Sequence, residues 1–118
     1  MPQDLGKWGE ELAADYLREK GWVVLEQNFE NALGECDLIA EDGDTTVFVE
    51  VKTRSSDRFG PPEAAVTRDQ RDHLRRVARS YFSDDLTQQS CRFDVIAIQF
   101  ENNSPNLRHI PNAFGAYE

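Results

Sequence analysis

At 118 residues, the chain has the length of one domain, spanning 1–118, that buries a core without disulfides. Its 39% hydrophobic and 30% charged residues are typical of a soluble globular protein, and no apolar run approaches the roughly 20 residues of a membrane span. The net charge of −9 argues against nucleic acid as a partner, but residues 52–79 hold eight basic and four acidic residues. This basic middle suits either phosphate contact or an ordinary solvated helix face.

The first predicted element is a helix over residues 5–20, with Asp4 as N-cap and Gly21 as stop signal. An apolar stripe at helical spacing comprises Leu5, Trp8, Leu12 and Tyr16, with Ala13 and Leu17 beside it. The segment lacks the apolar stretch of a secretory signal. The chain has only two cysteines, neither at metal-ligand spacing, so we expect a cytoplasmic protein with free thiols.

Three strands are predicted next. Residues 22–25 (WVVL) read as a short strand, residues 27–33 as a loop, and residues 36–40 (CDLIA) as a second strand. The Asp-Gly pair within residues 41–44 predicts a tight hairpin turn. A third strand over residues 45–53 therefore lies antiparallel to the second.

A loop over residues 54–65, with Gly-Pro-Pro as breakers, leads to a helix over residues 67–82, where Thr67 and Gln70 fit a capping box. Residues 92–100 (RFDVIAIQF) form an apolar strand, and we expect Arg92 and Asp94 to pair structurally. In the tail from residue 101 we expect a loop, a short edge strand at LRHI and otherwise loose order. This order predicts an α/β fold, a mixed four- to five-stranded sheet flanked by helices.

Residues 48–54 (FVEVKTR) carry charge on a strand that otherwise suits the core. Because strand side chains alternate, one face is apolar and comprises Val47, Val49 and Val51. The other face comprises Phe48, Glu50 and Lys52. A buried charge is costly unless it is paired or bound to a metal, so this second face either meets water or forms a site.

Asp37, on the second strand, completes the candidate site. The hairpin makes the two strands neighbours, so Asp37 and Glu50 converge at one end of the sheet, with Lys52 close by. Paired carboxylates suit Mg²⁺, which polarises a phosphoryl oxygen and lowers the pKa of its bound water. A lysine stabilises negative charge that develops on the phosphate. Together these residue types predict cleavage of a phosphodiester bond.

Each of these residues also has a structural interpretation. Glu50 and Lys52 fit a solvent-facing pair, and Asp37 fits a cap or turn residue. His73 and His109 have no partner in the sequence that indicates a triad or a metal site. The conjunction favours the site, because the strand that carries Glu50 is otherwise strongly apolar.

The pattern GECDLIA…VFVEVKTR resembles the PD-(D/E)xK nuclease signature of the restriction-endonuclease-like fold. More closely, the chain resembles the YraN-type family of small uncharacterised bacterial proteins, which are similar to Holliday-junction resolvases. The resemblance covers most of the chain, through residues 6–31 and the blocks RFGPPEAAVT and RFDVIAI. It implies a metal-dependent nuclease that acts on DNA, branched or otherwise structured.

The resemblance also implies residue roles. Asp37 and Glu50 would bind Mg²⁺ or Mn²⁺ together with the carbonyl of Val51, and Lys52 would be the catalytic lysine. Glu10 matches a glutamate that resolvase-like proteins bring to the metal, although it equally fits a solvated helix carboxylate.

Other positions stay open or depart from the pattern. Cys36 replaces the proline of the signature, and Gln70 stands where YraN-type proteins tend to have a lysine. For Gln70 two roles stay open: it contacts substrate, or it only closes the capping box. For Glu35 two roles also stay open: it supports the site, or it only begins a strand. The expected substrate contacts are Arg54, Arg58, Gln70 and Arg71, and Phe59 is an expected contact to a base or a packed anchor.

Two functions follow, from different classes. The first is a Mg²⁺-dependent endonuclease for DNA, with a homodimer expected by analogy with junction enzymes. The second is a nucleic-acid-binding or adaptor module that acts through a protein partner, which the acidic net charge favours. A purely structural domain is the remaining alternative.

Overall fold

The computed structural model describes residues 4–55, 66–82, 90–101 and 104–116, and Arg58 and Phe59 lie outside these ranges. The elements are α1 (Leu5–Glu19), β1 (Val23–Asn31), β2 (Gly34–Asp42), β3 (Thr45–Arg54), α2 (Arg68–Tyr81), β4 (Cys91–Glu101) and β5 (Ser104–Phe114). The strands form one sheet in the order β1-β2-β3-β4-β5. Only β3 and β4 pair in parallel; the other neighbours are antiparallel. This confirms the predicted α/β class and the restriction-endonuclease-like fold.

The two faces of the sheet bury two separate apolar clusters. The cluster between α1 and one face of the sheet comprises Ala13, Leu17, Leu38, Val47, Val49, Val51 and Ile96. The cluster between α2 and the other face comprises Ile39, Phe48, Leu74, Val77, Phe93 and Phe114. The alternation predicted for β3 is thereby confirmed, because its valines and Phe48 belong to different clusters.

The helix ends are confirmed at residue level. The side chain of Asp4 accepts a hydrogen bond from the N–H of Lys7 at 2.9 Å, and Gly21 follows α1 with φ +89°. Thr67 and Gln70 form the complete capping box of α2. The buried line of α1 differs from the predicted stripe, because it runs through the small residues Gly9, Ala13 and Ala14 to Leu17. Small side chains let the helix approach the sheet closely, and the larger residues of the stripe flank the contact.

Two loop predictions were wrong. Residues 27–31 continue β1, because this polar stretch pairs with the apolar strand β2 as far as Asn31 and Gly34. Cross-strand pairing therefore overrides the low strand propensity of Asn, Gln and Glu. The tail contains the predicted edge strand at LRHI but is more regular than expected, since β5 pairs with β4 from Ser104 to Phe114. Within the described ranges, no helix is long and apolar enough to cross a membrane.

Candidate active site

The candidate site lies where β2 and β3 separate. Their pairing runs from Asp42 and Thr45 to Leu38 and Val49, and the next residues are Asp37 and Glu50. There Asp37 Oδ2 accepts a hydrogen bond from the N–H of Val51 at 2.8 Å, so a side chain replaces the missing backbone partner. A strand residue directs its N–H and C=O to the same side. The Val51 carbonyl therefore faces the Asp37 side as well.

Glu10 of α1 reaches the same point, where the nearby Asp37 contributes to a raised pKa of Glu10. It does so because α1 approaches β3 at Gly9, where an added Cβ would fall onto the hydroxyl of Thr53. On its other side, Glu10 contacts the amide of Asn28. Three carboxyl groups from a helix and two strands thus lie near one another, and Asp37 raises the pKa of both Glu10 and Glu50.

Burial, together with the nearby carboxyl group of Asp37, raises two pKa values in this site. Burial raises the pKa of Glu50 to about 8, assisted by the hydrogen bond and charge of Asp37 and opposed by Lys52. Burial and then Asp37 raise the pKa of Glu10 to about 7, whereas Asn28 opposes this rise. The fold therefore holds acids together at a cost that a bound cation would relieve.

The donor chemistry fits a hard divalent cation. Glu10, Asp37, Glu50 and the Val51 carbonyl offer oxygen atoms only, which Mg²⁺ and Mn²⁺ prefer. Among the residues that the structure describes, no three Asp, Glu, His or Cys side chains already stand as a coordination shell. The fit therefore rests on the type and convergence of the donors.

Lys52 follows Glu50 by two residues on the same face of β3 and is half-buried. Its positive charge lowers the pKa of Glu50, which shows that the two side chains are near each other. Arg54 lies two residues further along the same face, also half-buried. The pairing of residues 52 and 54 with Ala97 and Gln99 of β4 keeps this row in register.

A pocket of about 280 Å³ opens beside Glu50 and is lined by Glu35, Glu50, Asp69, Gln70 and His73. Gln70 closes the capping box, its Oε1 accepting from the N–H of Thr67 at 3.0 Å, and it also faces the pocket. Its contact with substrate stays a prediction. His73, which sequence reasoning had passed over, accepts a hydrogen bond from the N–H of Glu35 at 3.3 Å.

The predicted substrate contacts on α2 lie in different surroundings. Arg71 lines a second cavity of about 160 Å³ with Val66 and Phe114, its guanidinium 5.9 Å from the Phe114 ring. Arg75 donates to the carbonyl of Gly115, so part of the basic surface of α2 holds the end of β5. Arg58 is outside the described residues, and substrate binding by both Arg58 and Arg71 stays a prediction.

Sequence reasoning found the Arg92–Asp94 pair but not the network around it. The structure confirms the pair at 2.9 Å and adds His109, whose Nε2 lies 2.7 Å from Asp94 Oδ2. Tyr16 Oη lies 3.1 Å from Nδ1 of the same imidazole. No local sequence pattern predicts these contacts, because Tyr16 and His109 are 93 residues apart.

Gly9→Ala is expected to lower stability and to displace Glu10. The new Cβ would clash with the Thr53 hydroxyl and lie 3.1 Å from both Cβ and Cγ2 of Thr53, so rotating the threonine does not clear it. Overpacking of this kind costs about 1–3 kcal/mol, measured by urea denaturation. Gly6→Ala is the control, because its Cβ would meet only Asp4 Oδ1 at 3.7 Å. Equal stability of the two variants would contradict the close approach.

Glu50→Gln is expected to flatten the pH dependence of stability in a metal chelator. The pKa of Glu50 in the folded state, about 8, exceeds the ordinary 4.5, so its stabilising contribution is present below the ordinary pKa and is lost as pH rises through the folded one. Wild type should therefore lose about 2–3 kcal/mol between about pH 6 and pH 9. Thermal melts should show a clearly smaller loss of stability with pH in Glu50→Gln. Identical pH dependence in wild type and Glu50→Gln would contradict the raised pKa of Glu50.

The chain is similar throughout its length to one family of bacterial proteins. The model of the uncharacterised protein family UPF0102 matches residues 9–98. A UPF0102 protein of Syntrophomonas wolfei is 49% identical over 115 residues, 97% of this chain and 100% of the relative. One of Geobacter metallireducens is 44% identical over 113 residues, 95% and 93% of the two chains. One of Thermodesulfovibrio yellowstonii is 47% identical over 111 residues, 94% and 96%.

These names assign no activity to the relatives. The extent of the match nevertheless establishes the relationship, because it covers most of α1, all of α2 and the strands that carry Asp37, Glu50 and Lys52. The chain belongs to the uncharacterised protein family UPF0102, the YraN-type family.

Proposed function

We propose that this protein is a metal-dependent endonuclease that hydrolyses phosphodiester bonds of DNA in the cytoplasm. The observation that carries the proposal is the meeting of Glu10, Asp37 and Glu50 from three elements, with Lys52 beside Glu50. An ordinary solvent-facing pair of charges would not raise the pKa of Glu50 to about 8, because exposed carboxyl groups stay near their usual values.

Each residue of the site has a separate proposed role in hydrolysis. Glu10, Asp37, Glu50 and the Val51 carbonyl would hold Mg²⁺ or Mn²⁺, which supplies Lewis-acid polarisation of the phosphate and acidification of bound water. The ammonium of Lys52 orients the attacking water and stabilises the negative charge that develops on the phosphate. The water oxygen bonds to phosphorus and gives up a proton to the solvent, the bond from phosphorus to the leaving sugar oxygen breaks, and that oxygen takes up a proton from the solvent.

The substrate contacts follow from the basic stretch of residues 52–79. Arg54 lies on the same face as Lys52 and would bind a phosphate next to the cleaved bond. Arg58, Gln70 and Arg71 are proposed as further contacts. The resemblance to junction resolvases supports branched or otherwise structured DNA, and it supports a homodimer, since a junction offers two symmetric cleavage positions.

A second candidate function is a nucleic-acid-binding or adaptor module that works through a protein partner. The net charge of −9 favours it, because an acidic protein is not steered towards DNA over long distances. A pure binder, however, has no use for carboxyl groups that are held together against their repulsion.

Titration calorimetry with Mg²⁺ and Mn²⁺ separates the two candidates. We expect a saturable site in wild type, lost in both Asp37→Ala and Glu50→Ala and retained in Glu11→Ala, whose carboxylate is exposed on α1. Metal binding would justify a screen of branched, single-stranded and duplex DNA. Absence of binding in wild type at millimolar metal, with DNA present, would overturn the nuclease proposal in favour of the adaptor.

A further inference from the structure

We infer that Asn28 is a positioning residue of the proposed metal site, holding the carboxylate of Glu10 against Asp37. The inference rests on the proposed function for its purpose, but the contact itself is a separate observation. Nothing in the sequence pattern pointed to Asn28, which falls within a stretch that read as a loop.

The first observation is the backbone of Asn28. It has φ +53° in the middle of β1, with Gln27 paired to Leu38 and Phe29 paired to Cys36 on either side. Asn28 therefore lies directly across the strand pair from Asp37. Left-handed backbone is unfavourable for most L residues and is tolerated best by Gly and Asn. Strain of this kind collects at functional sites, where the surrounding structure maintains it.

The second observation is the side chain. With its nitrogen directed at Glu10, the Asn28 amide donates to Oε2 at 2.7 Å and to Oε1 at 3.3 Å. The opposite orientation would set the amide oxygen against a carboxylate, so hydrogen bonding assigns the orientation. Both oxygens of Glu10 are thereby held from β1, while Asp37 of β2 lies near the same carboxyl group.

Asn suits this position better than its nearest substitutes. Glycine would adopt the backbone conformation with no strain but would leave Glu10 without the two donors. Aspartate also tolerates left-handed backbone, but it cannot donate and would add a fourth negative charge. The amide of Asn28 instead orients the carboxylate of Glu10 through both of its oxygens, as the partners of metal ligands do.

The test compares Asn28→Gly with a matched control, Asn112→Gly. Asn112 is the other described non-glycine residue with left-handed backbone, φ +52°, and it lies on β5, where its N–H contacts Asp94. Thermal melts and Mn²⁺ calorimetry are run on both variants. Both glycine variants should keep a melting temperature near that of wild type, because the relief of left-handed strain offsets the greater freedom of glycine in the unfolded chain.

Only Asn28→Gly should weaken Mn²⁺ binding, by about tenfold or more, which is the usual loss when a partner of a metal ligand is removed. Wild-type Mn²⁺ affinity in Asn28→Gly would overturn the inference and leave Asn28 a purely conformational role. Equal weakening in Asn112→Gly would overturn it too, since the effect would then come from the fold as a whole.

A second readout keeps the inference separate from the proposed function. If wild type binds no Mn²⁺, the proposed function fails, and the side-chain amide signals of Asn28 in ¹⁵N spectra decide the contact. Glu10→Ala should shift these signals and Glu11→Ala should not. Unchanged signals in Glu10→Ala would overturn the inference whatever the metal titration shows.

Discussion

Lys52→Ala is expected to lower the rate of DNA cleavage by about two to three orders of magnitude while metal binding persists. The ammonium of Lys52 is near Glu50 but is not an oxygen donor, so its loss removes transition-state stabilisation and leaves the carboxylates in place. Removing a positive charge next to the acids should leave Mn²⁺ affinity equal or slightly higher. Single-turnover cleavage and calorimetry on the same preparation measure the two effects.

Two controls make this result specific. Lys7→Ala removes an exposed lysine of α1 and should leave cleavage unchanged. Lys52→Arg keeps the charge, but the planar guanidinium has a different shape and hydration, so recovery should be partial at most. Cleavage at the wild-type rate in Lys52→Ala would remove this residue from the mechanism, and cleavage that survives Asp37→Ala would indicate a contaminating nuclease.

Asp94→Ala is expected to cause the largest loss of stability, about 3–5 kcal/mol, because it removes one member of a buried charged network. Asp94 is 0% exposed. Its Oδ1 accepts from Arg92 Nε and from the N–H of Asn112, both at 2.9 Å, and its Oδ2 lies 2.7 Å from Nε2 of His109. Alanine would leave the buried imidazole of His109 without this acceptor and, among the described residues, would leave Arg92 with only its exposed partner Asp42.

The pH dependence provides a second check on Asp94. Burial by itself raises the pKa of Asp94, but His109, Arg92 and the Asn112 N–H more than compensate, so its pKa lies below the ordinary value. A carboxyl group with a depressed pKa stabilises the fold above its unfolded pKa, and this stability is lost as pH falls through the folded one. Asp94→Ala should therefore lose less stability on acidification than wild type does.

Asp42 provides the matched control for Asp94. It also pairs with Arg92, at 3.4 Å, but its side chain is 42% exposed. Exposed pairs contribute about 0–1 kcal/mol, so urea denaturation of Asp42→Ala should show a small loss only. A loss below about 1 kcal/mol in Asp94→Ala would mean that the network is not a main support of the fold. Metal affinity of the folded Asp94 variant should equal that of wild type.

Local patterns in the chain were sufficient for much of the site. The alternation in residues 48–54 and the Asp-Gly turn bring Asp37 and Glu50 to the same end of two neighbouring strands, as the structure confirms. The capping box of Thr67 and Gln70 was predictable from the sequence for the same reason. Strand alternation, turns and caps involve residues a few positions apart, so the order of residues encodes them directly.

The remaining features depend on partners that are distant in the chain. Glu10 fitted a solvated carboxylate equally well until α1 was seen to pack on β3 through Gly9. The polar end of β1, the left-handed Asn28 and the length of β5 arise from pairing with β2 and β4. His109 gains its partners from α1 and β4. Such contacts form only when the elements pack together, because burial and cross-strand pairing then outweigh the weak local preferences of polar residues.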